Sequence, residues 1–150
     1  MLMRFATGIL AGAVAVAAIL LLESDWFLLL AILVLEVATL EYVRLGRRAG
    51  ASRGLYALLV FVPALSALWI VESSVSPWVV LAVSPLAFSL YALAERSDPR
   101  SSLATLGWSS FGAVYLVLPT WSMFEIHSAD PHLLLALLVS VWANDTVALL

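Results

Sequence analysis

The sequence contains no cysteine and no lysine. The first absence excludes disulfides, thiolate metal sites and a thiol nucleophile. The second excludes a P-loop, whose lysine reaches the nucleotide phosphates. Histidine is scarce as well: His127 and His132 are too few for a histidine-based metal cluster. Charge is the largest shortage. Charged residues fill 11% of the 150 positions and hydrophobic ones 64%, where soluble domains sit near about 25% and about 50%. A soluble fold of this size cannot hide that much apolar surface, so lipid is expected to be the solvent for most of the chain. The net charge of −3 decides little, because in a membrane protein the placement of charge outweighs its sum.

What the sequence does have is apolar runs. Six of them, at about 5–22, 26–45, 55–71, 78–93, 103–124 and 133–150, approach or reach the length that spans a core of about 30 Å at about 1.5 Å per residue. The first also has the small-residue composition of a secretory signal peptide, but more membrane follows it, which favours a retained span. Within it, Gly8 and Gly12 form a GxxxG pair. Close approach of a neighbouring helix and chance spacing in an alanine-rich run both account for that pair. Trp26 stands as an interfacial aromatic, and Pro63 and Pro85 suggest kinks rather than breaks. The Gly- and Ser-bearing fifth run suits a helix buried among others. The short polar stretches between runs are read as turns and loops: Glu23–Asp25, the basic Gly46–Gly54, Glu72–Pro77, Ala94–Ser102 and the acidic Glu125–His132.

The arginines orient this arrangement. Alternation through six spans puts Arg4, Arg44, Arg47, Arg48, Arg53, Arg96 and Arg100 on one side. The opposite turns, around Glu23, Glu72 and Glu125, carry no basic residue. Basic residues collect on the cytoplasmic side, so the expected fold is all-α and polytopic, one transmembrane helical domain over residues 1–150 with a cytoplasmic N-terminus. The run from Arg44 to Arg53 is then topological, with an attraction for anionic headgroups of about 1 kcal/mol per residue.

Three groups stand out chemically. Glu36 lies mid-helix without a local partner; it is protonated, hydrogen-bonded to another helix, or functional. Glu41 and Arg44 are close enough along one helix to pair. The last run carries Asn144, Asp145 and Thr146, and a carboxylate at the bilayer centre costs about 2.5–3.5 kcal/mol. Asp145 lies about 20 Å beyond His132 along a helix, toward the cytoplasmic half. Its oxygen ligands suit Mg²⁺, which bridges carboxylates to substrate phosphates. Consecutive helical residues fan out by about 100°, so one or two of the three share a face, and further acidic ligands would come from elsewhere. An Asp145 satisfied by a polar neighbour stands as the alternative.

The segment VWANDTVALL, Val141 to Leu150, resembles the W-x-x-D-T-x-A-Y segment of bacterial phosphatidate cytidylyltransferases, the CDP-diacylglycerol synthases. EYVRL, Glu41 to Leu45, is similar to the E-Y-x-R-L ending of that family's second helix. Asp145 and Thr146 match the motif, while Val147 and Leu149 depart from it. The resemblance implies CTP and phosphatidic acid as partners, Mg²⁺ as cofactor, and a multi-pass protein of the inner (cytoplasmic) membrane that makes CDP-diacylglycerol and pyrophosphate. Asp145, Asn144 and Thr146 would then be nucleotide-binding positions, with Asp145 also a metal ligand. It implies no nucleic acid, and a homodimer is among the assemblies open to it. The family's downstream Ser-Pro-Lys-Lys-Thr-x-Glu-Gly and His-Gly-Gly segments are not in this sequence. The chain is therefore expected to correspond to the family's N-terminal portion, with the main catalytic motifs outside it, and to be inactive alone. Two readings from other classes remain beside it: a small transporter or channel subunit with Glu36 and Asp145 as intramembrane carboxylates, and a scaffold without chemistry.

Overall fold

A computed structural model describes the backbone of residues 2–71, 77–94 and 98–148. Helices account for the regular structure, with no strand among the described residues. They are α1 (Leu2–Leu21), α2 (Ser24–Arg48), α3 (Leu58–Val71), α4 (Pro77–Ala94), α5 (Pro99–Ala129) and α6 (Pro131–Ala148), with a 3-10 turn at Arg53–Ala57. Each α-helix falls on one of the six apolar runs. Two of them, α2 with 25 residues and α5 with 31, are long and apolar enough to cross a membrane. At about 1.5 Å per residue they reach about 37 Å and about 46 Å, against a hydrocarbon core of about 30 Å. Shorter apolar stretches lie in α1, α3 and α6. Together these helices point toward association with a membrane.

Side-chain placement explains how such helices hold together. Leu33, Val34, Val60, Leu86 and Leu90 are each more than 60% exposed, while Thr39, Ser66, Thr105 and Thr120 are buried. Each of those hydroxyls donates to the carbonyl four residues earlier, Thr39 to Leu35 at 2.8 Å and Ser66 to Val62 at 2.9 Å among them. A hydroxyl satisfied by its own helix is a cheap polar group in an apolar interior. Polar-in and apolar-out is the reverse of a soluble surface, where exposed apolar patches of this extent are rare.

The chain forms two compact units. The first comprises Met1–Ala31 and Ser122–Leu150. Its core is Ile19, Phe27 and Leu134, packed by Met123, Ile126 and Leu138. Gly12 of α1 lies against the Trp142 ring of α6, whose Cη2 sits 3.1 Å from where a Cβ would project. Gly8, one turn away, has no atom within 4 Å of that position. Of the two readings of the GxxxG pair, neither fits both glycines: Gly12 admits a side chain, and Gly8 meets nothing.

The second unit is Ile32–Trp121. Along α2 the buried positions Leu35, Thr39, Tyr42, Val43 and Gly46 recur at helical spacing and form one stripe. Against it pack Leu55, Leu58, Val62, Ala113 and Val117. Tyr42 is the hinge pin of this core. Its hydroxyl donates to the carbonyl of Trp108 at 2.9 Å, and its ring meets the Trp108 indole edge-on at 5.1 Å.

Helix boundaries differ from the sequence expectation at both polar loops. The basic stretch expected to be loop from Gly46 is helical through Arg48. Gly46 does not break α2, because its missing side chain is where Leu55 and Trp108 pack. The acidic stretch expected as loop from Glu125 to His132 is helical through Ala129 and again from Pro131. There the boundary is set by one residue. The backbone N–H of Asp130 closes α5 on the Ile126 carbonyl at 2.8 Å, and its Oδ1 accepts from the His132 N–H of α6 at 2.9 Å. Asp98 opens α5 in the same way, accepting from the Arg100 N–H at 3.2 Å. In both cases proline occupies the first helical position, where its missing N–H is no loss.

Candidate functional site

The acidic candidate sits at the end of α6. Leu134 and Leu138 anchor the first half of this helix, and Trp142 lies on Gly12. Asn144 follows on the next half-turn and is exposed. Asp145 and Thr146 belong to the helical backbone of α6, and their side chains lie outside the described residues. One carboxylate and one amide on successive positions are hard oxygen donors, right in kind for Mg²⁺ but short of a full ligand set. Among the described residues, no three of His, Asp and Glu stand together as metal ligands.

The basic candidate belongs to the second unit. Past Arg48, α2 closes in a paired cap, with the N–H of Ala51 donating to the Gly46 carbonyl at 3.0 Å and that of Gly50 to Arg47 at 3.2 Å. Gly50 adopts φ of +98°, the left-handed conformation such a cap requires. The Arg47 guanidinium then straps the turn by donating to the Ala51 carbonyl. Next, the N–H of Ser52 donates to Thr105 Oγ1 of α5 at 2.6 Å, and Ser52 Oγ accepts from Gly54 N–H at 3.2 Å to start the 3-10 turn. Ala51, Ser52, Gly54 and Leu55 are buried while Arg44, Arg48 and Arg53 are exposed. The loop is thus a fixed base that displays cations, an order that its glycine-rich composition does not announce.

Other expected features fall out differently. Glu41 and Arg44 make no ion pair; among the described residues His132 pairs with Asp130 at 3.1 Å. Glu36 is partly buried, and its Oε2 is fully buried with no hydrogen-bond partner. Such an acceptor costs about 1–3 kcal/mol, which the packing of α2 has to offset. His127, expected as a loop residue, is instead 2% exposed in α5. The signal for it was present in the sequence, because buried Ala113, Leu116, Thr120 and His127 continue one helical stripe.

A profile described as the cytidylyltransferase family matches residues 2–150. The chain belongs to the cytidylyltransferase family. No curated protein and no solved structure gives a significant match. As a cytidylyltransferase-family chain it falls in the reaction class of nucleotidyl transfer. The resemblance carried by EYVRL and WANDT therefore named the right family. In the second unit EYVRL lies in the last two turns of α2, with Tyr42 buried in the core and Arg44 outside it.

Proposed function

We propose that this chain serves CTP:phosphatidate cytidylyl transfer at the membrane, contributing nucleotide- and metal-binding positions rather than the whole catalytic set. Its helices would cross the inner membrane six times, the N-terminus and all seven arginines lying on the cytoplasmic side. The observation that carries the reading is family membership over residues 2–150, in a chain whose helices turn Leu and Val outward. In the reaction, a phosphate oxygen of phosphatidic acid attacks the α-phosphorus of CTP. The bond to the bridging oxygen breaks, pyrophosphate leaves, and CDP-diacylglycerol remains. Transfer of this kind depends on positioning two polyanions and neutralising their charge. Asp145 would hold Mg²⁺ together with substrate phosphates and water, and the metal would supply that neutralisation. Asn144 and Thr146 would bind the nucleotide beside it.

The test is equilibrium binding of radiolabelled CTP to the chain in phosphatidylcholine nanodiscs, with and without Mg²⁺. Saturable, Mg²⁺-dependent binding that weakens about tenfold or more in Asp145→Asn is expected, since outer partners of metal sites already cost that much. Absence of CTP binding, with ion flux through the reconstituted chain, would move the assignment to a transporter.

A further inference from the structure

Past Leu138, α6 is thinly held. Leu134 and Leu138 fix its first half in the core of the first unit. Beyond them Val139, Ser140, Val141 and Asn144 are exposed, and the Ser140 hydroxyl is spent on the Ala136 carbonyl of the same helix at 2.7 Å. The hold on α1 comes at Trp142. Its ring lies over the bare backbone of Gly12, with Cη2 at 3.1 Å and Cζ3 at 3.3 Å from the point where a Cβ would stand. Gly12 is buried, while its neighbours Ala11, Ala13 and Val14 are exposed. Both helices belong to the first unit and pack on each other.

The seat has no room to spare. Carbon atoms rest at about 3.5–4.0 Å in van der Waals contact, so even a methyl at position 12 would push the indole back by a few tenths of an ångström. Gly8, one turn earlier, has nothing within 4 Å of the same point. The need for glycine therefore belongs to position 12 and not to the GxxxG pair. Asp145 follows Trp142 by three residues on a continuous helix, about 4.5 Å along the axis and about 60° around it. Over so short a distance a helix moves as a rod, and a displacement at Trp142 passes to the backbone at 144–146. Such displacements matter, since a misplacement of about 1 Å can cost about 100-fold in a reaction.

We propose that Gly12 is a positioning residue for the nucleotide and metal site: its missing side chain seats the Trp142 ring, and that seat fixes the helix segment carrying Asn144, Asp145 and Thr146. This rests on the assignment of those three positions given above, and it adds α1 to the elements on which nucleotide binding depends. Gly12 acts through Trp142 and touches neither substrate nor metal.

The experiment is a double-mutant cycle on the full chain in phosphatidylcholine nanodiscs, read as Mg²⁺-dependent binding of radiolabelled CTP. Gly12→Ala crowds the ring and Trp142→Phe leaves its seat partly empty, and each is expected to weaken binding about fivefold. The G12A/W142F pair conserves volume, because phenylalanine lacks the outer carbons that the new methyl meets. It should return to within about twofold of the parent, a coupling of about tenfold, which is in the range for residues in contact. Gly8→Ala is the control and should bind CTP as the parent does. Unfolding in detergent is followed alongside, since a contact that merely supports the fold would change unfolding while the folded chain kept its affinity. If Gly12→Ala fails to insert, Trp142→Leu removes the indole, leaves α1 intact, and should weaken binding about tenfold. Parent-like affinity in these single variants, or a double variant as weak as the two losses multiplied, would overturn the role of Gly12 and leave CTP binding in place. Absence of CTP binding by the parent would overturn both.

Discussion

His127 of α5 lies flat on Phe27 of α2, ring centroids 3.9 Å apart and planes 5° from parallel. The same imidazole reaches α1, its Nε2 standing 3.0 Å from the Ile19 carbonyl. That carbonyl belongs to the last turn of α1, where helix carbonyls lack a partner of their own. A carbonyl can only accept, so Nε2 carries the proton, and Nδ1 is the buried nitrogen without a partner. One side chain thus ties three helices of the first unit. His127→Phe keeps the stack and removes the donor, which is expected to cost about 1–3 kcal/mol for the orphaned carbonyl. His127→Ala loses the ring as well and is expected to cost more, because a cavity is added. Chemical unfolding in detergent micelles measures both, and a His127→Phe chain as stable as the parent would show that the cap contributes nothing.

Glycines of α1 and α5 predict opposite outcomes for the same substitution. A Cβ on Gly112 would lie 2.5 Å from Tyr42 Cε1 and 3.2 Å from Leu58 Cδ1. Tyr42 cannot swing aside cheaply, since its hydroxyl is bound to the Trp108 carbonyl. Gly112→Ala is therefore expected to destabilise the second unit by about 1–3 kcal/mol, the usual range for overpacking. Gly8→Ala meets no atom within 4 Å and exchanges a poor helix former for the best one, a gain of up to about 1 kcal/mol. Matched unfolding curves decide the pair. Equal effects of one sign would contradict the packing described at Tyr42.

How far these features were legible beforehand depended on their range. The six apolar runs each became a helix, since apolar length and helical period are local properties. The motif EYVRL and the aspartate of WANDT pointed to the family for the same reason. Boundaries at polar stretches were misread. Glu125 to His132 looks like a loop by composition, yet the helix continues because Ile126 and His127 complete a buried stripe formed with other helices. The rigid turn after α2 was hidden because its decisive bond, Ser52 N–H to Thr105 Oγ1, joins residues 53 apart. Arg47 was counted with its neighbours as a free surface charge, although it straps the turn beneath them.

That long-range bond carries a prediction of its own. Thr105 Oγ1 accepts from Ser52 N–H at 2.6 Å while donating to the Ser101 carbonyl at 2.7 Å, so the hydroxyl is used in both directions. Thr105→Val keeps the shape and removes the acceptor. The buried Ser52 N–H then loses this acceptor, at a cost of up to about 1–3 kcal/mol. The effect should be local, with faster amide exchange at Ser52 and little change in α6. Thr105→Ser, which restores a hydroxyl, should recover most of the protection. If Thr105→Val leaves Ser52 exchange unchanged, the turn is held by its own cap alone.

The junction of α5 and α6 yields the pH dependence. Asp130 is about half-exposed, and its carboxyl is held below the ordinary carboxylate range, first by the hydrogen bond from the His132 backbone N–H and then by that from the His132 ring. The folded state thus binds a proton less readily than the unfolded one at this group. The stabilisation it gives is complete above the unfolded value of about 3.9 and is lost as pH falls below it toward the lower folded value. Capping of α6 should accordingly be constant from neutral pH down to about 5 and weaken below that. Amide protection at His132, corrected for intrinsic exchange, reports it directly. Asp130→Asn separates charge from geometry, since asparagine caps helices about as well as aspartate but does not titrate. The asparagine variant should keep its protection flat through the acid range where the parent loses it. An identical acid loss in both chains would place the titrating group elsewhere in the first unit.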